Sequence, residues 1–356
     1  MARVDIIVLF SGGLDSLLTA KLLQSQGLSV RCLHCVSPFF GNIEALPRWR
    51  RLHGLDIVPL DIGDDFVSML RAWPTYGFGK VMNPCVDCKI LLLRRARDYM
   101  VSVGAKALAS GAVLGQRPMS QRRDTLHIIQ REAGVAGLLL RPLSAKLLPP
   151  TESEISGLVD RDRLLDIHGR GRTAQLALAR SYNLAEIPTP GGGCRLTERE
   201  NARRYWPVLT RRGNPAATDF ALANLGRQFW REQDHSAHWL VIGRNQPDNQ
   251  RLAAAVGPHD LLLEIMNVSG PLALARDGIH WPAALLAEAA AQTASYAPKA
   301  SSSVRVRAEA SHGKETRMFT VTPARSALWT PPSWIAVRED IRAAARARQK
   351  SGNALS

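Results

Sequence analysis

Residues 6–23 constrain the fold more than any other stretch. The apolar run Ile6-Ile7-Val8-Leu9-Phe10 leads into Ser11-Gly12-Gly13-Leu14-Asp15-Ser16, and Leu17-Leu18-Thr19-Ala20-Lys21-Leu22-Leu23 follows. The first run is short, β-branched at its centre and stopped by paired glycines, the pattern of a buried parallel strand. The second places Leu14, Leu17, Leu18, Lys21 and Leu22 at i, i+3, i+4 spacings, among good helix formers that extend to Gly27. A strand, a glycine turn with flanking hydroxyls and a helix build an anion site. The glycines admit a close ligand, and the first helical amides point at it with the positive dipole end behind them. No Gly-Lys-Ser/Thr follows, so this is not a Walker A loop.

Further strands are expected at Ser29–Val36, Ile57–Ile62, Ala107–Ala109 and Leu138–Leu143, with helices at Ala45–His53, Asp64–Trp73 and Lys89 to about Val103. This alternation predicts an α/β fold, a doubly wound parallel sheet whose ligands bind beyond the carboxyl ends of the strands. The expected division is a parallel-sheet domain over 1–165 and a helical connector over 166–235, helical from Pro207 to about Gln233 and carrying a glycine-rich cysteine loop at 188–194. A smaller α+β domain over 236–337 follows, then a basic tail over 338–356, read as an Ala/Arg helix or a disordered arm. In the third region strands are expected near 239–242, 261–268, 304–309 and 318–321, with a helix near 283–294.

Lys plus Arg number 46 against 31 Asp plus Glu, a formal charge of +15 that suits a polyanionic partner, although a GC-rich genome, which favours Arg and Ala, would give the same bias. No apolar run approaches the ~18 residues of a membrane span, and Arg3 and Asp5 interrupt any leader, so no membrane association and a cytoplasmic location are expected. Five cysteines in a reducing compartment favour metal or catalytic roles over a disulfide framework. Cys32 and Cys35 fall in a strand, where they face opposite sides and read as core. Cys85 and Cys88 follow Asn83-Pro84 at a helix start, where amides and dipole stabilise thiolate. Cys194 ends Gly191-Gly192-Gly193-Cys194. Three thiolates from two loops fit a [4Fe–4S] cluster with one iron left open, or a nucleophile and resolving pair passing a persulfide; structural zinc and simple packing remain alternatives.

The Ser11–Ser16 segment resembles the SGGxDS signature of the PP-loop ATP pyrophosphatases. Asn83-Pro84-Cys85-Val86-Asp87-Cys88 resembles the N-P-x-x-x-C segment of tRNA 2-thiouridylases, with Cys85 where that group has Asp, as in three-cysteine members. Ser110-Gly111-Ala112-Val113-Leu114-Gly115-Gln116 and Ser120-Gln121 are similar to the TGExxGQ…SQ segment of 4-thiouridine synthetases, with Ala112 replacing Glu. Trp239–Asn245, Asp248-Asn249, Leu252, Asp260 and Gly270–Arg276 resemble the NFACT-R group of RNA-binding domains.

The resemblance implies an adenine-nucleotide alpha hydrolase-like domain that binds ATP and Mg²⁺ through Ser11, Gly12, Gly13, Asp15, Ser16, Gly111 and Gln116. It further implies a sulfur site at Cys85, Cys88 and Cys194, with Asp15, Cys88 and Cys194 acting in catalysis. The expected activity is ATP-dependent tRNA uridine thiolation, in which a uracil carbonyl is adenylated and AMP is displaced by sulfide or by persulfide from an external donor. Arg94, Arg95, Arg97, Arg117, Arg122 and Arg123 are candidate tRNA phosphate contacts or a solvated face. The alternatives are a PP-loop ligase or sulfur-insertion enzyme acting on a small molecule, and an RNA- or ribosome-binding adaptor with a vestigial ATP site.

Overall fold

The computed structural model describes residues 3–188, 193–233, 236–300, 302–311 and 315–353. The chain divides into two compact units, 1–197 and 198–356.

The first unit runs β1 (Ile6–Leu9), α1 (Leu14–Gln24), β2 (Val30–Val36), α2 (Leu46–His53), β3 (Asp56–Asp61), α3 (Gly63–Arg71), α4 (Cys85–Ser102), β4 (Ala107–Ser110), α5 (Arg123–Glu132), β5 (Leu139–Leu140), α6 (Glu152–Ile155) and α7 (Thr173–Ser181). Its strands form one parallel sheet in the order β3-β2-β1-β4-β5. The winding is double because strand side chains alternate between faces. Ile6, Val8, Cys32, Ile57 and Ala109 pack with Leu14, Leu17 and Leu18 of α1 and Ala179 of α7. Ile7, Leu33 and Leu108 pack on the other face with Ile90, Leu93 and Ala96 of α4 and Ile129 of α5.

Chain order reverses at β1, which has β2 on one side and β4 on the other, so the crevice opens beyond the carboxyl ends of β1 and β4. Two glycines make it possible. Gly12 has φ +80°, and a Cβ there would lie 2.4 Å from the Trp49 ring. Gly111, just after β4, lies so close to the start of α1 that a Cβ would fall 2.6 Å from the carbonyl carbon of Asp15.

The expected strand at 138–143 is only the two-residue β5, because Pro142 lacks a ladder donor and the chain turns at once, Ser144 N donating to Arg141 O at 2.9 Å. Helix α1 stops at Gln24 rather than reaching Gly27, and it is buried around most of its surface.

The second unit contains α8 (Arg199–Arg211), α9 (Ala217–Ala223), β6 (Arg227–Gln233), β7 (Ser236–Ile242), α10 (Gln246–Ala254), β8 (Leu261–Ile265), β9 (Ala273–Arg276), α11 (Ala283–Ala294), β10 (Val304–Ala310), β11 (Thr316–Val321) and α12 (Trp334–Asn353). Its antiparallel sheet has the order β11-β10-β8-β9-β7-β6, with Leu285, Leu286, Ala289 and Ala290 of α11 packed against it. The expected helix up to Gln233 is overturned at β6, which pairs with β7 from Arg227↔Ile242 to Gln233↔Ser236. The charged sequence hides this strand; burial of Phe229 and of Trp230, stacked 5.1 Å from Trp239, decides it. The tail is helical in α12, with Val337 and Ile341 buried.

Candidate active site

The turn after β1 is locked by its own hydroxyls. Ser16 Oγ donates to Gly13 O at 2.8 Å and accepts from Ser11 N at 3.2 Å, which leaves the first amides of α1 facing the crevice. Asp15 projects from the first turn of α1. Its Oδ2 accepts from Gln116 Nε2 at 3.1 Å and lies 3.9 Å from the Arg172 guanidinium. Its Oδ1 is buried with no hydrogen-bond partner among the described residues. A lone carboxylate oxygen beside helix amides is the donor a hard divalent cation takes, so the site fits Mg²⁺.

Behind the turn, His34 is held as the neutral imidazole. Its Nδ1 donates to Phe10 O at 2.8 Å, its Nε2 accepts from Asn42 N at 3.0 Å, and burial depresses its pKa. The Trp49 ring packs edge-on against both Phe10 and His34 and backs Gly12.

A cavity of about 720 Å³ extends from this turn, and Asp15, Gln116, Cys85, Cys88 and Cys194 all line it. Cys85 and Cys88 sit in the first turn of α4, and Asn83 Nδ2 donates to Cys85 Sγ at 3.1 Å. Two backbone bonds fasten the Cys194 segment: Arg195 N donates to Phe39 O at 2.8 Å, and Met82 N donates to Leu196 O at 3.2 Å. Burial, and then proximity to Cys194 and Cys85, push the Cys88 thiol well above the ordinary range. Among the described residues no group of three or more His, Cys, Asp or Glu side chains is gathered as a metal site. Cys85, Cys88 and Cys194 thus all line the cavity without forming a gathered ligand set. The donor chemistry fits a thiolate-bound iron–sulfur group. Gly191 and Gly192 of the cysteine loop lie outside the described residues.

Several cavity residues carry no signal in the sequence alone. Lys89 is half-buried, and its pKa is lowered to about 8, chiefly by burial and then by Arg141 and Arg117. Arg141 is 5 % exposed, its pKa pulled to about 10 by burial. Cys35 also borders the cavity and bears on Cys88, whereas Cys32 is core. Arg172 lies in Gly169-Arg170-Gly171-Arg172, a short basic cluster before α7.

Of the arginines singled out for RNA, Arg117 lines the cavity. The others are held elsewhere or point outward. Arg94 donates to Glu132 O, Arg95 pairs with Asp65, Arg97 donates to Ala133 O and Arg122 pairs with Asp124. Arg123 is exposed at the start of α5.

In the second unit, Asp260 is fully buried and accepts from Gly257 N, Asp277 N and Arg276, which also pairs with Asp219 of α9.

Residues 226–331 match the model of the NFACT protein RNA binding domain. The chain is 30% identical over 176 residues to a probable tRNA sulfurtransferase of Methanosarcina acetivorans, a match covering 47% of this chain and 40% of that protein. It is 36% identical over 115 residues to the tRNA-specific 2-thiouridylase MnmA of Desulfosudis oleivorans, covering 30% of this chain and 31% of that one. The chain therefore spans less than half the length of these curated relatives. Among solved structures, the U34-tRNA thiolase NcsA from Methanococcus maripaludis, described with its [4Fe-4S] cluster, aligns at a TM-score of 0.28 and 15% identity, over 53% of this chain and 61% of that one. By sequence, the chain joins a region similar to tRNA sulfurtransferases to a segment that matches the NFACT protein RNA binding domain.

Proposed function

We propose that the protein is an ATP-dependent tRNA uridine sulfurtransferase acting in the cytoplasm. The observation that carries this reading is a single cavity lined by both the Ser11–Ser16 turn with Asp15 and the thiols of Cys85, Cys88 and Cys194. Nucleotide activation and sulfur delivery need that proximity, because an adenylated base is consumed where it forms.

ATP's phosphates lie on the amides of Gly12, Gly13 and the start of α1, with the Ser11 and Ser16 hydroxyls beside them and Gly111 and Gln116 closing the opposite side. Asp15, through its unpartnered Oδ1, would hold Mg²⁺, which supplies charge neutralisation on the leaving pyrophosphate. The uracil carbonyl oxygen attacks the α-phosphorus, the bond to pyrophosphate breaks, N3 gives up its proton to solvent, and the base becomes the neutral O-adenylated imidate. The turn amides and Arg172 stabilise the negative charge that builds up in this step. AMP is then a good leaving group, where the carbonyl oxygen was a poor one. A sulfur nucleophile at the thiol-lined wall adds to the activated carbon, and AMP departs with the oxygen.

Cys85, Cys88 and Cys194 would hold a [4Fe–4S] cluster, which supplies a site for anionic sulfur; as an unligated set, Cys88 and Cys194 would pass a persulfide instead. The sulfur comes from an external sulfide or persulfide donor. Arg117 and the NFACT-type domain are the candidate tRNA contacts.

The test is mass spectrometry of tRNA nucleosides from a deletion strain. One thiolated uridine should be lost and return with the wild-type gene, and an unchanged thionucleoside profile removes the proposal. Asp15→Asn should lower tRNA-dependent AMP formation by about 100-fold while the protein stays folded. Anaerobically purified protein should be brown; colourless protein with stoichiometric zinc removes the cluster.

A further inference from the structure

Helix α12 is a charged element that neither the nucleotide turn nor the thiol-lined cavity uses. It belongs to the second compact unit and starts at Trp334, just past the 226–331 segment that matches the NFACT protein RNA binding domain. One side of it is committed to the fold through the buried Val337 and Ile341. Arg338, Arg342 and Arg346 lie on another face. Their spacing of four puts them on neighbouring turns, about 6 Å apart along the axis. All three are exposed, and their side chains make no hydrogen bond or ion pair among the described residues. Glu339 and Asp340 are exposed on the same helix and pair with none of them. From Ile341 to Ser356 the sequence has no Asp or Glu.

Other arginines of this unit are neutralised within it, Arg231 by Glu288, Arg244 by Asp248, and Arg276 by Asp219 and Asp260. Like charges at i, i+4 destabilise a helix, so the stripe is a cost that no described carboxylate offsets. A bound polyanion would offset it. Three cations spread over about 12 Å of axis suit a row of charges better than one compact anion. A helix that lies on an anionic membrane needs a free apolar face, whereas Val337 and Ile341 are already buried and Ile335 is the one large apolar side chain of the described helix that is exposed. A phosphodiester strand needs no such face.

We propose that α12 is an RNA-docking helix, with Arg338, Arg342 and Arg346 contacting backbone phosphates of the tRNA. The surface lies outside the matched domain, and the choice of tRNA rests on the thiolation reading. Such contacts fix the position of the RNA without reading its sequence.

The experiment compares three full-length chains: the wild type, a variant combining Arg338→Gln, Arg342→Gln and Arg346→Gln, and one with lysine at the same three positions. Each is titrated with bulk tRNA between 50 and 200 mM salt, and with vesicles of phosphatidylcholine containing about one-third phosphatidylserine. The glutamine variant should bind tRNA more weakly and lower the slope of log affinity against log salt by about 2–3, at unchanged melting temperature. The lysine variant keeps the charge and should keep the wild-type slope. A slope lowered by less than about 1 overturns the inference and leaves the thiolation reading standing. Loss of vesicle binding with the tRNA slope unmoved also overturns it, by making α12 a membrane contact. Equal weakening in both variants, with a lowered melting temperature, overturns it by making the arginines structural. If the wild type binds no tRNA, the thiolation reading falls and the inference falls with it.

Discussion

Gly111 sits where the loop after β4 crosses the start of α1, and it has no room for a methyl group. A Cβ would meet the Asp15 carbonyl carbon at 2.6 Å and the Ser16 nitrogen at 2.7 Å, both backbone atoms that cannot swing away. Gly111→Ala should therefore cost about 1–3 kcal/mol in urea unfolding and displace Asp15 enough to lower AMP formation. His34 sets a pH dependence of known sign. Its folded pKa lies below the unfolded value because burial disfavours the charged ring, so the unfolded chain binds the extra proton first. The stabilisation is complete above the unfolded histidine pKa of about 6.5 and is lost as pH falls through that value toward the folded pKa. Melting temperatures between pH 7.5 and 5 should fall, and His34→Gln should flatten part of that slope.

At the scale of elements, α9 and β9 are joined by an ionic knot rather than by apolar packing alone. Arg276 reaches Asp260 at 2.7 Å and Asp219 at 2.8 Å, and both carboxylates are almost fully buried. Asp260→Ala would leave two backbone amides unpaired and half of the Arg276 charge uncompensated. We expect a loss of about 3–5 kcal/mol, read as a lower urea midpoint for the second unit with the first unit's transition unmoved. Other elements of the second unit are equally hidden from sequence patterning. Strand β9 is only Ala273–Arg276, β6 is rich in charge, and α10 starts at Gln246 behind the cap Asn245, whose side chain accepts from Asp248 N. Short or polar segments give no clear period, so only their partners identify them.

Across the whole molecule, the +15 charge is the largest electrostatic fact. Many arginines are spent internally, as the pairs Arg95–Asp65, Arg161–Glu154, Arg231–Glu288 and Arg276–Asp260 show. The excess is still ample for a polyanion. Binding of bulk tRNA to the full chain should weaken by at least about tenfold between 50 and 200 mM salt. A salt-independent affinity would place recognition in neutral contacts instead. No helix among the described residues is long and apolar enough to cross a membrane.

Local order along the chain was enough to specify the strand–turn–helix at residues 6–24, the parallel alternation that follows it, and a helix after Asn83-Pro84, although that helix starts at Cys85 and not at the expected Lys89. In each case the determining contacts lie within a few residues, or within a period of two or 3.6, and such regularities survive in one dimension. Tertiary structure alone decided the rest. It set Cys194 close enough to Cys88 to act on its thiol across more than a hundred residues, brought Arg172 and Gln116 to Asp15, and buried Gln121 Oε1 and Arg141 Nε without partners among the described residues. It also paired Arg95 with Asp65 and Arg122 with Asp124 at the surface. The reason is physical: burial and electrostatic neighbourhood depend on which distant elements the sheet brings together, and side-chain period carries no record of that.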